Sequence, residues 1–229
     1  MISLGILMCF SPVCQIFCVT SIFYSFAQSG QLHTICENRM TKNAPTANDK
    51  FLYFAYGSNL LAQRIHINNP TAKRIATGKL KDYRLDFNFW SPGWKGCVAT
   101  IVPQEGSVTW GAVWEIDISN LPNLDRQELV HKGVYFPLQV TIETTDHEKL
   151  SCRTYQLYDI PPPLKEYQEL PEERRPSKTY LKVIIEGAKE SCLPESYISS
   201  LELIPDNGQE SNFPFKTYLP SYPFITRYG

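Results

Sequence analysis

Between residues 51 and 205 the apolar positions change period several times, and each change predicts an element. Phe51 to Tyr56 is a short aromatic run ending at Gly57, the pattern of a buried strand. Ser58 or Asn59 then caps a helix carrying Leu60, Leu61, Arg64 and Ile65, which Asn68-Asn69-Pro70 stops. Val108, Trp110, Ala112, Trp114 and Ile116 alternate with polar or small residues, predicting a half-buried strand. Further strands are expected over Tyr83–Phe89, Cys97–Val102, Val134–Thr144 and Ser151–Tyr158, with Pro137 marking an edge or bulge. Helical periods run over Ser119–His131, Lys178–Gly187 and Pro194–Ile204. A strand and a helix followed mainly by strands does not describe a doubly wound parallel sheet. The expected fold class is mixed α+β, a small mixed sheet partly closed as a barrel with helices at its rim.

The two ends read differently. Residues 1–27 form an apolar leader, and the first 36 residues contain no Lys, Arg, Asp or Glu. A signal peptide cleaved near Ser25-Phe26-Ala27 and an extension dispensable to the working protein both fit this segment. Pro12, Gln15 and several serines interrupt it as a membrane span. Residues 28–50 are a polar linker, 51–205 the domain, and 206–229 a Pro- and aromatic-rich tail read as an irregular strap.

Composition narrows the function classes. Twenty-two basic against 23 acidic side chains leave a net charge of -1, without the clustered excess that phosphate neutralisation demands, so nucleic acid is not an expected partner. The absence of an Asn-x-Ser/Thr sequon, Asn69 being followed by Pro70, argues against secretion. The four cysteines after the leader are widely spaced and contain no Cys-x-x-Cys pair, and the four histidines form no ligand-spaced pair, so no metal site is expected. Dinucleotide, P-loop and Gly-x-Ser-x-Gly signatures are absent as well.

Three places carry candidate chemistry. Leu121, Leu124 and Glu128 fall at i, i+3 and i+7, which puts a carboxylate on the inward stripe of a helix. Desolvation there raises its pKa toward the range useful for proton transfer, and Asp125, one turn earlier, adds repulsion. The same spacing also fits a glutamate paired with an arginine at the edge of the apolar face. His131, one turn later, is a second neighbour able to tune it. Tyr56-Gly57-Ser58-Asn59 joins a strand to a helix, where free amides bind carboxylates or phosphates and Gly57 permits close approach or positive φ. Tyr180 shares a helix face with Val183, Ile184 and Gly187, so its hydroxyl points inward, toward a ligand or a backbone carbonyl.

In this order and at compatible spacing, four blocks resemble γ-glutamylcyclotransferase: Phe51-Leu52-Tyr53-Phe54-Ala55-Tyr56-Gly57-Ser58-Asn59-Leu60, Leu124-Asp125-x-Gln127-Glu128, Cys152-Arg153-x-Tyr155, and Gly187-Ala188-Lys189-Glu190 with Leu193-Pro194. The Tyr-Gly-Ser-Asn-Leu loop is unlike the Tyr-Gly-Thr-Leu type of the enzyme acting on γ-glutamylamines and the Gly-Tyr-Gly-Ser-Leu type of the glutathione-specific enzymes. The resemblance implies that Tyr53, Phe54, Ala55, Tyr56, Gly57 and Ser58 hold the substrate, that Glu128 is the general acid/base and that Tyr180 contacts the γ-glutamyl group. It further implies a small-molecule γ-glutamyl substrate, 5-oxoproline as product, no cofactor, a cytoplasmic location and often a homodimer; a retained leader would add a membrane, and a cleaved one secretion. The family commonly has Gly after the catalytic glutamate and this chain has Leu129. If that glycine makes room for substrate or backbone, Leu129 narrows specificity or lowers activity. A catalytically silent binder of γ-glutamyl ligands or of a protein partner is the competing reading.

Overall fold

The computed structural model describes residues 49–162, 164 and 170–212. The leader, the linker as far as residue 48 and the tail beyond residue 212 lie outside the described residues. Five strands, β1 (Lys50–Ala55), β2 (Lys73–Ser91), β3 (Gly96–Asp117), β4 (Tyr135–Thr144) and β5 (Lys149–Leu157), close into a barrel in the order β1-β3-β2-β4-β5. All neighbours are antiparallel except β1 and β5, which run parallel with Tyr53 opposite Arg153. A parallel closing pair brings the end of β1 beside β5, and the site is built there.

Several of the expected elements differ in detail, among them the helix expected over Ser119–His131, which ends at Gln127. Cys97–Val102 and Val108–Ile116 are one 22-residue strand, β3. Pro103-Gln104-Glu105-Gly106 breaks the alternation because the strand bulges there, with Gly106 at φ 77 and its amide on Asp82 Oδ1 at 2.9 Å. β2 begins ten residues before Tyr83. Its first half carries four Lys and Arg residues whose stems cover apolar surface, as Arg74 does over the Trp114 ring at 4.6 Å. The helix expected after Gly57 is broken into a 3₁₀ turn, Ser58–Leu60, and a single α-turn, α1 (Ala62–Ile65), separated by Leu61 in an extended conformation. The break buries Leu60 and Leu61 together, which a continuous helix would turn about 100° apart. Neither Ser58 nor Asn59 makes a side-chain cap.

The remaining helices are α2 (Leu121–Gln127), α3 (Lys178–Glu190) and α4 (Glu195–Glu202). Ser177 caps α3, its hydroxyl accepting the Tyr180 amide at 3.1 Å. Gly187 lets α3 settle against the first turn after β1; a Cβ there would lie 2.5 Å from the Leu61 nitrogen and 2.6 Å from Leu60 Cβ. Residues 206–212 are irregular and are tied to the start of α3: Asn207 N–H donates to the Pro176 carbonyl at 2.9 Å, and Lys178 N–H to the Gln209 carbonyl at 3.0 Å. Cys97 and Cys152 are free and buried, and Cys192 is free and exposed. Among the described residues no helix is long and apolar enough to cross a membrane.

Candidate active site

The pocket forms where β1 ends. Tyr53, Tyr56, Gly57 and Ser58 line it, together with Asn59, Ala99, Glu128, Tyr135, Tyr155 and Tyr180; its empty volume is about 300 Å³ with the solvent at its mouth included. The β-pleat and tight packing exclude two expected residues. Phe54 and Ala55 are fully buried in the core and do not line the pocket; the Phe54 ring covers Gly111, where a Cβ would meet it at 2.7 Å. Gly57 has φ -108, so of the two uses open to that glycine, close approach and positive φ, it does not adopt the second. A Cβ on it would sit 3.4 Å from the Tyr180 hydroxyl, filling space between the turn and α3. The first amides of the 3₁₀ turn have no partner within it, which leaves them available to a ligand's anionic group.

Glu128 is the C-cap of α2, one step past its last turn, and its amide still bonds the Leu124 carbonyl at 3.0 Å. Leu124 is fully buried, so the stripe read from the sequence does turn Glu128 inward, where its side chain is half-buried. Burial pushes its carboxyl up to about 7. The Arg64 guanidinium, the Gln127 and Asn59 side-chain donors pull the other way, and Asp125 adds a smaller upward push. As for the alternative of a pairing with arginine, Arg64 Nη1 donates to Gln127 Oε1 at 3.3 Å, and its guanidinium acts on Glu128 through its charge. Asp125 instead accepts from Arg153 at 2.7 Å and from the Tyr155 hydroxyl at 2.6 Å, tying α2 to β5. His131 is exposed on a separate 3₁₀ turn and takes no part in the pocket.

The tyrosine hydroxyls divide by what they do with their hydrogen. Tyr56 donates to the Tyr155 carbonyl and Tyr135 to the Ala99 carbonyl, both at 2.6 Å. Tyr180 accepts the Ala99 amide at 3.1 Å, not a bond to a carbonyl, and Tyr53 accepts from Asn59 at 3.1 Å. Those two phenols keep a hydrogen to offer a ligand oxygen. Burial pushes Tyr180 up to about 12, so it is a neutral donor at ordinary pH. Asn59 belongs to the turn that the sequence singles out, whereas Ala99, Tyr135 and Tyr155 are additions to the site; Tyr155 stands in one of the resembling blocks, and nothing in the local pattern distinguishes Ala99 or Tyr135 from a core strand residue.

Comparison with known proteins identifies the family. The AIG2-like family matches residues 108–201. Gamma-glutamylcyclotransferase of Bos taurus is 42% identical over 163 residues, spanning 69% of this chain and 81% of the relative; that of Homo sapiens is 40% identical over 163 residues with the same spans. The chain belongs to the γ-glutamylcyclotransferase family. A solved Gamma-glutamyl cyclotransferase superposes with a TM-score of 0.64 at 38% identity, covering 70% of this chain and 91% of the other. At the position where the resemblance implies a glycine, Leu129 stands at φ 52 and ψ 34, the left-handed region, directly after the half-buried Glu128. A glycine adopts that conformation freely, while a leucine does so at a cost of about 1–2 kcal/mol. Leu129 of this γ-glutamylcyclotransferase-family chain is not among the residues lining the pocket, and the constraint visible at its position is the left-handed backbone.

Proposed function

We propose that this chain is a γ-glutamylcyclotransferase, converting γ-glutamyl amino acids to 5-oxoproline and a free amino acid. The observation that carries the reading is a single glutamate, Glu128, held near neutral pKa in a pocket it shares with the Tyr-Gly-Ser turn and Tyr180. In this scheme the substrate's α-carboxylate lies on the amides of the turn, and the folded γ-glutamyl group brings its α-amine onto its own γ-carbonyl carbon. Glu128 takes a proton from the amine as the new C–N bond forms, then gives it to the leaving nitrogen as the old C–N bond breaks. A carboxyl near pKa 7 is suited to both steps, being neither a weak base nor a weak acid at neutral pH. Because the attack is intramolecular, holding the folded conformer contributes much of the rate. The Tyr53 and Tyr180 hydroxyls are the donors for the oxygen that gains charge.

Residues 51–205 are the working domain in this reading, the enzyme acts in the cytoplasm, and it assembles as a homodimer. Incubating purified protein with a γ-glutamyl dipeptide and quantifying 5-oxoproline and the released amino acid tests the activity. Stoichiometric release of both supports it; retention of the dipeptide in a bound, unreacted form supports the silent binder.

A further inference from the structure

The hydrogen bonds beside Glu128 have a fixed direction that begins at a charge. A guanidinium only donates, so the atom of Gln127 that Arg64 Nη1 meets at 3.3 Å is the amide oxygen. Asn68 Nδ2 donates to that same oxygen at 3.0 Å. The Gln127 amide is thereby held in one of its two orientations, with its NH₂ turned toward the site. One hydrogen goes to Asn59 Oδ1 at 3.0 Å and the other to Glu128 Oε1 at 3.1 Å. With its own oxygen occupied, Asn59 presents its NH₂ to Tyr53 at 3.1 Å and to Glu128 Oε1 at 3.3 Å. Both side-chain donors to Glu128 among the described residues thus reach the same oxygen.

From this arrangement, and resting on the acid/base role proposed for Glu128, we infer that Gln127 is a positioning residue. Clamped through its oxygen by Arg64 and Asn68, it reserves Glu128 Oε1 as a pure acceptor and leaves Oε2 as the oxygen that carries the proton to and from substrate. A proton on Oε1 would point at two N–H groups and displace both bonds. The same two donors favour the carboxylate over the acid, offsetting part of the desolvation that drives the pKa upward. The charged groups facing Glu128 are Arg64 from α1 and Asp125 from its own helix, the latter paired with Arg153 of β5. The phenols around it, Tyr53 and Tyr56 at the end of β1, Tyr135 of β4 and Tyr180 of α3, are all pushed above their ordinary value by burial and stay neutral where Glu128 titrates.

The test is a carboxyl-carbon NMR titration of glutamate-labelled protein, with Glu128→Gln to assign the resonance. Gln127→Met keeps the side chain's length and removes the donor, and a hydrogen bond to a charged group is strong enough that the Glu128 midpoint should move about one pH unit upward. Asn68→Ala, at an exposed position, loosens the clamp and should give a smaller move in the same direction; it decides the matter if Gln127→Met does not fold. The acid limb of kcat/KM should follow, with the variant's deficit largest near pH 6 and closing toward pH 9. An unmoved or lowered midpoint, or a deficit equal at every pH, overturns the inference. Wild-type protein that titrates as described but releases no 5-oxoproline overturns instead the acid/base reading on which the inference rests.

Discussion

Replacing Glu128 with Gln should make the protein more stable at alkaline pH and leave its stability unchanged in acid. The folded protein holds this carboxyl at about 7 against an ordinary 4.5, because burial disfavours the charged form. An acid whose pKa is raised by folding contributes its full stability below the unfolded value and loses it as pH rises through the folded value. Between 4.5 and about 7 the unfolded chain has released the proton and the native one retains it, so stability falls by about 1.4 kcal/mol per pH unit. The interval corresponds to about 3 kcal/mol by pH 8. Glutamine fills the same volume, still offers a carbonyl oxygen to Asn59 and Gln127, and carries no proton to lose. Urea denaturation of wild type and Glu128→Gln at pH 4, 6 and 8 should therefore show a difference near zero, then intermediate, then about 3 kcal/mol in favour of the variant. A difference that is the same at all three pH values would refute the reasoning, and a variant less stable at pH 8 would indicate that Glu128 is held by Arg64 as an ion pair.

Two further substitutions address the frame of the site. Gly187→Ala drives a methyl into the backbone of Leu60 and Leu61; overpacking costs about 1–3 kcal/mol and exceeds the roughly 1 kcal/mol that alanine gains in a helix, so the Tm should fall, and KM should rise as the Ser58–Leu60 turn is pushed away. A raised Tm would contradict the close packing of α3. Leu129→Gly relieves the left-handed backbone while adding chain entropy, for a net change under about 1 kcal/mol, whereas the β-branched Leu129→Val should be clearly destabilised, both read by thermal denaturation. Because Leu129 does not line the pocket, kcat/KM of Leu129→Gly should stay within about twofold of wild type; a large gain would show instead that the leucine obstructs substrate.

The parts of the fold that were legible in the sequence are those where one face of an element is apolar. β1, the inward stripe of α2 and the buried face of α3 all follow from period alone, and that stripe led to Glu128. The first half of β2 was not legible because its lysines and arginines bury their stems and expose their charges, so a buried surface reads as a polar one. The helix break at Leu61 was hidden for the opposite reason: both leucines are apolar, and only tertiary packing shows that each must be buried separately. Tyr135 and Tyr155 reach the pocket through barrel closure, which brings β4 and β5 across from β1 at long sequence separation. Phe54, expected in the site as part of a contiguous block, faces the core because successive strand residues point to opposite sides, and Ala55, on the side of Tyr53, is fully buried and does not line the pocket.

The central claim, that Glu128 moves the proton in an intramolecular cyclisation, is tested most directly by measuring 5-oxoproline release from a γ-glutamyl dipeptide by wild type and Glu128→Gln, each preparation verified as folded by its Tm. The account predicts release by the wild type and a loss of about 10²- to 10⁴-fold in kcat in the variant, with dipeptide binding retained. Near-wild-type turnover by a folded Glu128→Gln would contradict it.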